Sequence, residues 1–211
     1  MSLALYTVPV RRCLDVVFAS LALAVGTPVL AVISMLLRRR YGRPTLFRQT
    51  RLGLGGKPFE LLKFRTMTDE RGPDGTLLPD AERLTPVGRT LRLSSLDELP
   101  ELWNVLRGDM SLVGPRPLPV TYRGRFTANE ARRMEVRPGL TGWAQIQGRN
   151  SLDWDKRLAL DVWYVDHRSL WLDLRILIRT VRVVLTRQGV AADGSATMHE
   201  LRPPSPPSDA P

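Results

Sequence analysis

The chain has 211 residues, long enough for one domain with a sizeable core and appendages. Lys and Arg number 31 against 21 Asp and Glu, and the net charge of +10 suits a phosphate-rich partner: nucleic acid, anionic lipid or a nucleotide. The lone Cys13 excludes an internal disulfide, and two histidines, His167 and His199, argue against a zinc site; a reducing, cytosolic compartment fits.

The first element is an apolar run, Val16 to Leu37, of 22 residues without a charge. As straight helix it would measure about 33 Å, enough to cross a hydrocarbon core of ~30 Å. Two features argue against a simple crossing. Arg11 and Arg12 precede the run and Arg38, Arg39 and Arg40 follow it, so both ends favour the cytosolic side. Pro28 lies near the middle and removes a ladder hydrogen bond, while the Thr27 hydroxyl can bond back to the preceding turn. A re-entrant helix that enters and leaves by one face fits these features; an ordinary spanning helix is the competing reading. Ala22-Leu23-Ala24 resembles a signal-peptide cleavage site, but the apolar run continues to Leu37.

From Pro44 to Met67, two β-like stretches flank Gly53, Gly55 and Gly56, a pattern for a hairpin and not for a phosphate loop of Walker or dinucleotide spacing. Alternation on the second strand puts Lys63 and Arg65 on one face, half of an anion site. Residues 68–86 read as a polar surface loop. A helical stretch over 129–136 leads to turns at Gly139 and Gly142, with a short strand expected at Trp143–Gln147. From Leu152 to about Arg187 the pattern is helical, basic and Trp-bearing, as in a helix lying in the headgroup plane or packing on the core. The tail after residue 191 has too few apolar residues to fold and reads as disordered.

Within this frame, Asp97 and Glu98 form an acidic pair in the stretch LSSLDELPELWNVLRGDMSLVGPRP, 93–117. Ser95-x-x-Glu98 matches a capping box, but Pro100 fits better at the first position of a helix PELWNVLR closed by Gly108. Capping and chemistry therefore both remain open for the pair. Gly114-Pro115-Arg116-Pro117 would hold Arg116 with little conformational freedom, which suits bidentate contact with phosphate. Arg92, Arg149 and Lys63 are further cations in reach of such a centre. A carboxylate pair ringed by cations fits phosphoryl transfer, where positioning and charge supply most of the rate, and one carboxylate can hold Mg²⁺.

KFRTM (63–67), SLDELPELWNVLRGDMSLVGPRP (95–117), RPGLTGWAQIQGRN (137–150) and LDVWYVDHRSLWLDLRIL (160–177) closely resemble the bacterial sugar transferase family, the small monotopic phosphoglycosyl transferases. The resemblance implies transfer of a sugar 1-phosphate from a UDP-sugar to polyprenyl phosphate, with release of UMP, at the cytosolic face of the bacterial inner membrane. It implies Asp97 as nucleophile beside a Mg²⁺ site, with Asp97 as metal ligand, and Glu98 as proton acceptor or supporting partner. Lys63, Arg65, Arg92, Arg116 and Arg149 become the phosphate- and nucleotide-binding set. Thr27-Pro28 stands where the family breaks its re-entrant helix at Ser-Pro. Inner-membrane lipid and downstream glycosyltransferases are the expected partners, and nucleic acid is not.

The fold expected is α+β, mainly α: a re-entrant membrane helix over 1–40, a catalytic domain over 41–190 with a small strand hairpin and interfacial amphipathic helices around a membrane-surface site, and a disordered tail over 191–211. Two other functions compete. Asp153-Trp154-Asp155 spells the D-x-D motif of many nucleotide-sugar glycosyltransferases, although acids there also open helices. A membrane-tethered basic protein binding lipid or nucleic acid would explain the charge but not the acidic pair.

Overall fold

The structure, a computed structural model, describes residues 3–148, 152–186 and 201. It opens with helix α1, Leu3–Tyr41, which is helical through both Pro9 and Pro28. As expected, Thr27 Oγ1 donates to the carbonyl of Leu23, at 2.7 Å. The helix is not detached from the rest. Arg12, Asp15, Ala19, Leu23, Gly26, Leu30, Ile33, Leu37 and Tyr41 are buried or half-buried, a single stripe with the helical repeat of about 3.6. That stripe lies along the domain. Ala19 and Leu23 pack with Leu61, Leu102, Val105 and Met110, and Ile33 and Leu37 pack with Phe64 and Leu91. The opposite face, including Val17, Phe18, Leu21, Val25, Val32 and Met35, is apolar and exposed.

Polar contacts fasten the N-terminal half of α1. The buried Asp15 accepts from Ser111 Oγ at 2.8 Å and from the Leu112 amide at 2.9 Å. Arg12 donates to the carbonyls of Val105 (2.5 Å) and Leu106 (2.7 Å), and Arg11 pairs with Asp173 at 2.5 Å. A lone acid at the edge of an apolar run is costly in lipid unless paired. Here it is satisfied by protein groups.

Strands β1 (Leu46–Leu52) and β2 (Pro58–Phe64) form the expected antiparallel hairpin, in register from Leu46 opposite Phe64 to Leu52 opposite Pro58. Its connection contains Gly55 and Gly56, both at positive φ. Segment 68–86 is irregular apart from α2, Asp80–Arg83. Helix α3, Pro86–Leu93, is capped by Thr85, whose hydroxyl accepts from the Gly88 amide at 2.9 Å. Helix α4, Glu101–Arg107, begins directly after Pro100 and ends at Gly108 with φ +90°, as its residues suggested.

Asn104, fully buried in α4, ties that helix to the hairpin. Its Nδ2 donates to the Glu60 carbonyl (2.7 Å) and its Oδ1 accepts from the Leu62 amide (3.1 Å). Beyond α4, strand β3 (Ser111–Val113) pairs in parallel with β4 (Gly139–Thr141). A side chain on Gly139 would come within 2.0 Å of the Gly114 backbone, so this approach requires glycine. The helical stretch expected near 129–136 is present as α5, Ala128–Ala131, followed by a 3₁₀ turn.

The strand expected at Trp143–Gln147 is instead helix α6. Its apolar positions Trp143 and Ile146 are three apart and pack with Val113, Tyr164 and Ile176. A spacing of three serves a helix turn, whereas strand alternation would put them on opposite faces. The long C-terminal pattern divides into α7, Trp154–His167, and α8, Leu170–Thr186. Asp153 caps α7, accepting from the Lys156 amide at 2.7 Å, which is the helix-opening role. Within the segment read as a disordered tail, Leu201 is buried beside Leu118 and Leu158, and its carbonyl accepts from Arg125 at 2.9 Å. The rest of that segment lies outside the described residues.

Candidate active site

The acidic pair sits in a one-turn 3₁₀ segment, Leu96–Glu98, between α3 and α4. Ser95 enters it at φ +56° and makes no side-chain cap, so the capping box does not form. A left-handed residue other than glycine is uncommon, and such strain is usually found where side chains must be aimed. Here it turns the carboxylates inward. Asp97 is 7% exposed.

Three elements bring cations to the pair. Lys63, on β2, donates to Glu98 Oε1 at 2.8 Å and lies 3.0 Å from Glu101 Oε1. Arg116 donates its Nη2 to the same Glu98 oxygen at 2.5 Å. Its loop is braced by Gly139 N–H to the Pro115 carbonyl (3.0 Å) and Arg133 Nη2 to the Arg116 carbonyl (2.7 Å). Arg133 is itself anchored by a buried ion pair with Asp161 at 2.7 Å. Arg92, in the last turn of α3, donates its Nε to Thr66 Oγ1 at 3.0 Å and acts electrostatically on Asp97.

The two members of the pair have opposite surroundings. Burial opposes the charge on Glu98, but Arg116 and Lys63 outweigh it and hold this carboxyl well below the usual range. Burial, and then the neighbouring Glu98 charge, raise Asp97 despite Lys63, Arg116 and Arg92. Asp97 accepts no hydrogen bond from another described residue. Glu98 is thus spent on holding two cations, while Asp97 is unengaged among them.

Not every expected residue joins. Arg65, one residue beyond the end of β2, pairs with Asp69 at 2.8 Å, with its Nε on the Met67 carbonyl. It makes no contact with the dyad. Arg149 lies outside the described residues. Sequence reasoning missed Asn104, which fixes α4 against β2; a polar residue inside ELWNVL was the available signal. It also missed Glu101, a third carboxylate at the site, and Arg51, whose guanidinium lies near Arg116 and Glu98.

Glu101 is buried, and burial pushes it up to about 7, with Lys63 opposing and Glu98 adding to the shift. The unfolded chain therefore releases this proton near pH 4.5 while the native chain keeps it, so Glu101 costs stability progressively from pH 4.5 to about 7. Glu101→Gln removes that cost. Its thermal midpoint relative to the parent protein should rise across that window, by the equivalent of about 1–3 kcal/mol, and then level off. A difference that does not change with pH would contradict the buried charge.

With this geometry in view, the chain belongs to the bacterial sugar transferase family, whose model matches residues 6–187. It is 51% identical to an uncharacterized sugar transferase of Bacillus subtilis, EpsL, over 89% of this chain and 93% of that protein. It is 47% identical to the UDP-glucose:undecaprenyl-phosphate glucose-1-phosphate transferase of Caulobacter vibrioides, over 83% of this chain and 70% of that one. With the undecaprenyl-phosphate galactose phosphotransferase of Salmonella typhimurium the identity is 38% over 85% of this chain, but only 41% of that longer protein.

Proposed function

We propose that the protein transfers a sugar 1-phosphate from a UDP-sugar to polyprenyl phosphate, releasing UMP, as a membrane step of bacterial glycan assembly. The observation that carries this reading is Asp97: a buried carboxylate amid Lys63, Arg92 and Arg116 that accepts no hydrogen bond among the described residues. The names of the Caulobacter and Salmonella relatives support the same donor and acceptor class.

In the first step an Asp97 oxygen attacks the β-phosphorus of the donor. The bond from that phosphorus to the bridging oxygen breaks, and UMP leaves with the electron pair. In the second, an oxygen of the lipid phosphate attacks the same phosphorus and the bond to Asp97 breaks, giving a polyprenyl diphosphate sugar and a free carboxylate. Glu98 positions Lys63 and Arg116, and its ionised state makes it a brace before it is a proton acceptor. The cations stabilise charge on the phosphoryl oxygens, which is where phosphoryl transfer needs help.

No three Asp, Glu, His or Cys side chains cluster as a metal cage among the described residues. That suits Mg²⁺, which uses one or two carboxylates with water and substrate phosphates. Asp97 would hold it, since Glu98 is occupied by two cations. When bound, the ion would neutralise charge on the diphosphate.

The membrane reading follows from α1. A helix whose inner stripe touches the domain from Arg12 to Tyr41 cannot cross a bilayer without carrying the domain into it. The chain would therefore insert from the cytosolic face only, with the outer side of α1 in lipid and the helix continuous through Thr27-Pro28. On α8, Trp171, Leu174, Ile178 and Val181 are exposed at helical spacing with Arg175 and Arg179 between them, which suits an interfacial helix. Single cysteines replacing Val10 and Arg40, in a Cys13→Ser background, should both react only after the inner membrane is permeabilised. Labelling of either from outside would contradict one-sided insertion.

The activity test measures what the donor releases in the presence of polyprenyl phosphate. UMP is expected. UDP would indicate a D-x-D glycosyltransferase, a reading weakened by the capping role of Asp153, and no nucleotide release would leave a binding protein. A panel of UDP-sugars in the same assay would identify the donor.

A further inference from the structure

Arg51 has the wrong surroundings for a structural arginine. It sits near the end of β1, with its Nη2 donating to Gln49 Oε1 at 2.6 Å and its Nη1 to the Pro117 carbonyl at 3.2 Å. Its Nε is buried with no hydrogen-bond partner. No carboxylate pairs with it among the described residues. Burial and the like charge of Arg116 both work against it, bringing the guanidinium down to about 10, with only weaker help from Glu101, Tyr122 and Glu98. The neutralising capacity of Glu98 is already taken by Arg116 and Lys63.

A half-buried cation that faces a like charge, without a carboxylate of its own, is stabilised when an anion enters. Asp97 feels Lys63, Arg116 and Arg92 most among the cations, whereas Arg51 feels Arg116, Glu101 and Glu98. Its bond to the Pro117 carbonyl sets the Arg51 guanidinium beside the loop that carries Arg116. A phosphorus in reach of Asp97 would meet Lys63, Arg92 and Arg116, and a second phosphate attached to it would extend towards Arg51.

We propose that Arg51, held by Gln49 and Pro117, is a phosphate-binding residue that together with Arg116 receives a phosphate monoester group, and we assign that group to the leaving phosphate of UMP. The proposal rests on the phosphoglycosyl transfer reading above. During the first step negative charge accumulates on that phosphate as the bridging bond breaks, so its binding partner acts more strongly in the transition state than on the intact donor. Gln49 is then a positioning residue, because it orients the fork without touching the ligand.

The test is calorimetric titration of the purified full chain with UMP and, separately, with farnesyl phosphate as a soluble probe of the acceptor group. The parent protein should bind UMP. Arg51→Gln should weaken UMP at least tenfold, Arg51→Lys should recover only part of that, and Gln49→Ala should fall between Arg51→Lys and the parent. Turnover of Arg51→Gln should drop mainly in kcat, with a smaller change in KM for the donor, a split that a loss of packing would not produce. If Arg51→Gln folds poorly, judged by its thermal midpoint, Arg51→Lys decides: unchanged UMP affinity and kcat overturn the proposal. Weakening of farnesyl phosphate alone would move the subsite to the acceptor and overturn the leaving-group assignment. Equal binding of both probes by parent and variants overturns the phosphate role altogether. If the parent itself neither binds UMP nor releases it from a donor, the phosphoglycosyl reading fails first.

Discussion

Asp97→Asn should lower turnover by at least about 10⁴-fold, because the amide keeps the shape of the side chain and removes the proposed nucleophile. The loss should appear in both half-reactions, UMP release from the donor and sugar-phosphate delivery to the lipid. Stability separates this result from misfolding. Burial and the adjacent Glu98 raise Asp97, so its charge is disfavoured in the native chain, and that cost is present above the ordinary carboxyl range. The substituted amide carries no charge. The variant should therefore match or exceed the parent's thermal midpoint at pH 7–8 while being inactive. An inactive variant with a markedly lower midpoint would assign Asp97 a structural role instead.

Arg116→Lys should cost on the order of 10²-fold in kcat even though the charge is kept. The guanidinium pairs with Glu98 at 2.5 Å from a loop fixed by two prolines, by the Gly139 amide and by Arg133. A lysine has no planar fork to hold Glu98 and a phosphate oxygen together. The substitution keeps a cation near Glu98 but loses the Arg116 hydrogen bond that helps to lower it, so Glu98 should rise somewhat towards the ordinary carboxyl range. Arg65→Lys, at the Asp69 pair, should change turnover far less. Equal damage from both would refute the site as drawn.

Local chemistry in the sequence was a good guide to local structure. The glycines between two β-like runs gave the hairpin, Pro100 and Gly108 bracketed α4 within a residue, and Thr27 made its backbone bond. The acidic pair was legible because carboxylates amid arginines have few structural uses. What stayed hidden depends on distant contacts. The β3–β4 pairing joins two three-residue strands 28 positions apart at their first paired residues, Ser111 and Gly139, too short to show periodicity. Its formation relies on the close approach that Gly139 allows, which no local pattern reports. Arg51 and Glu101 look like ordinary surface charges in sequence, and only burial beside Arg116 and Lys63 makes them part of the site. Arg65 pairs with Asp69 and the Met67 carbonyl, contacts made by the turn after β2 that strand alternation does not report.

The central claim is that Asp97 carries the sugar phosphate between donor and lipid. Its most direct measurement mixes a known amount of protein with UDP-sugar and Mg²⁺, omits polyprenyl phosphate, and follows UMP before acid quenching. A burst of UMP approaching one equivalent per site is expected, with a sugar phosphate located on Asp97 by mass spectrometry and both signals lost in Asp97→Asn. UMP that forms only once polyprenyl phosphate is added, with no adduct on any carboxylate, would contradict it and leave direct transfer between the two bound substrates.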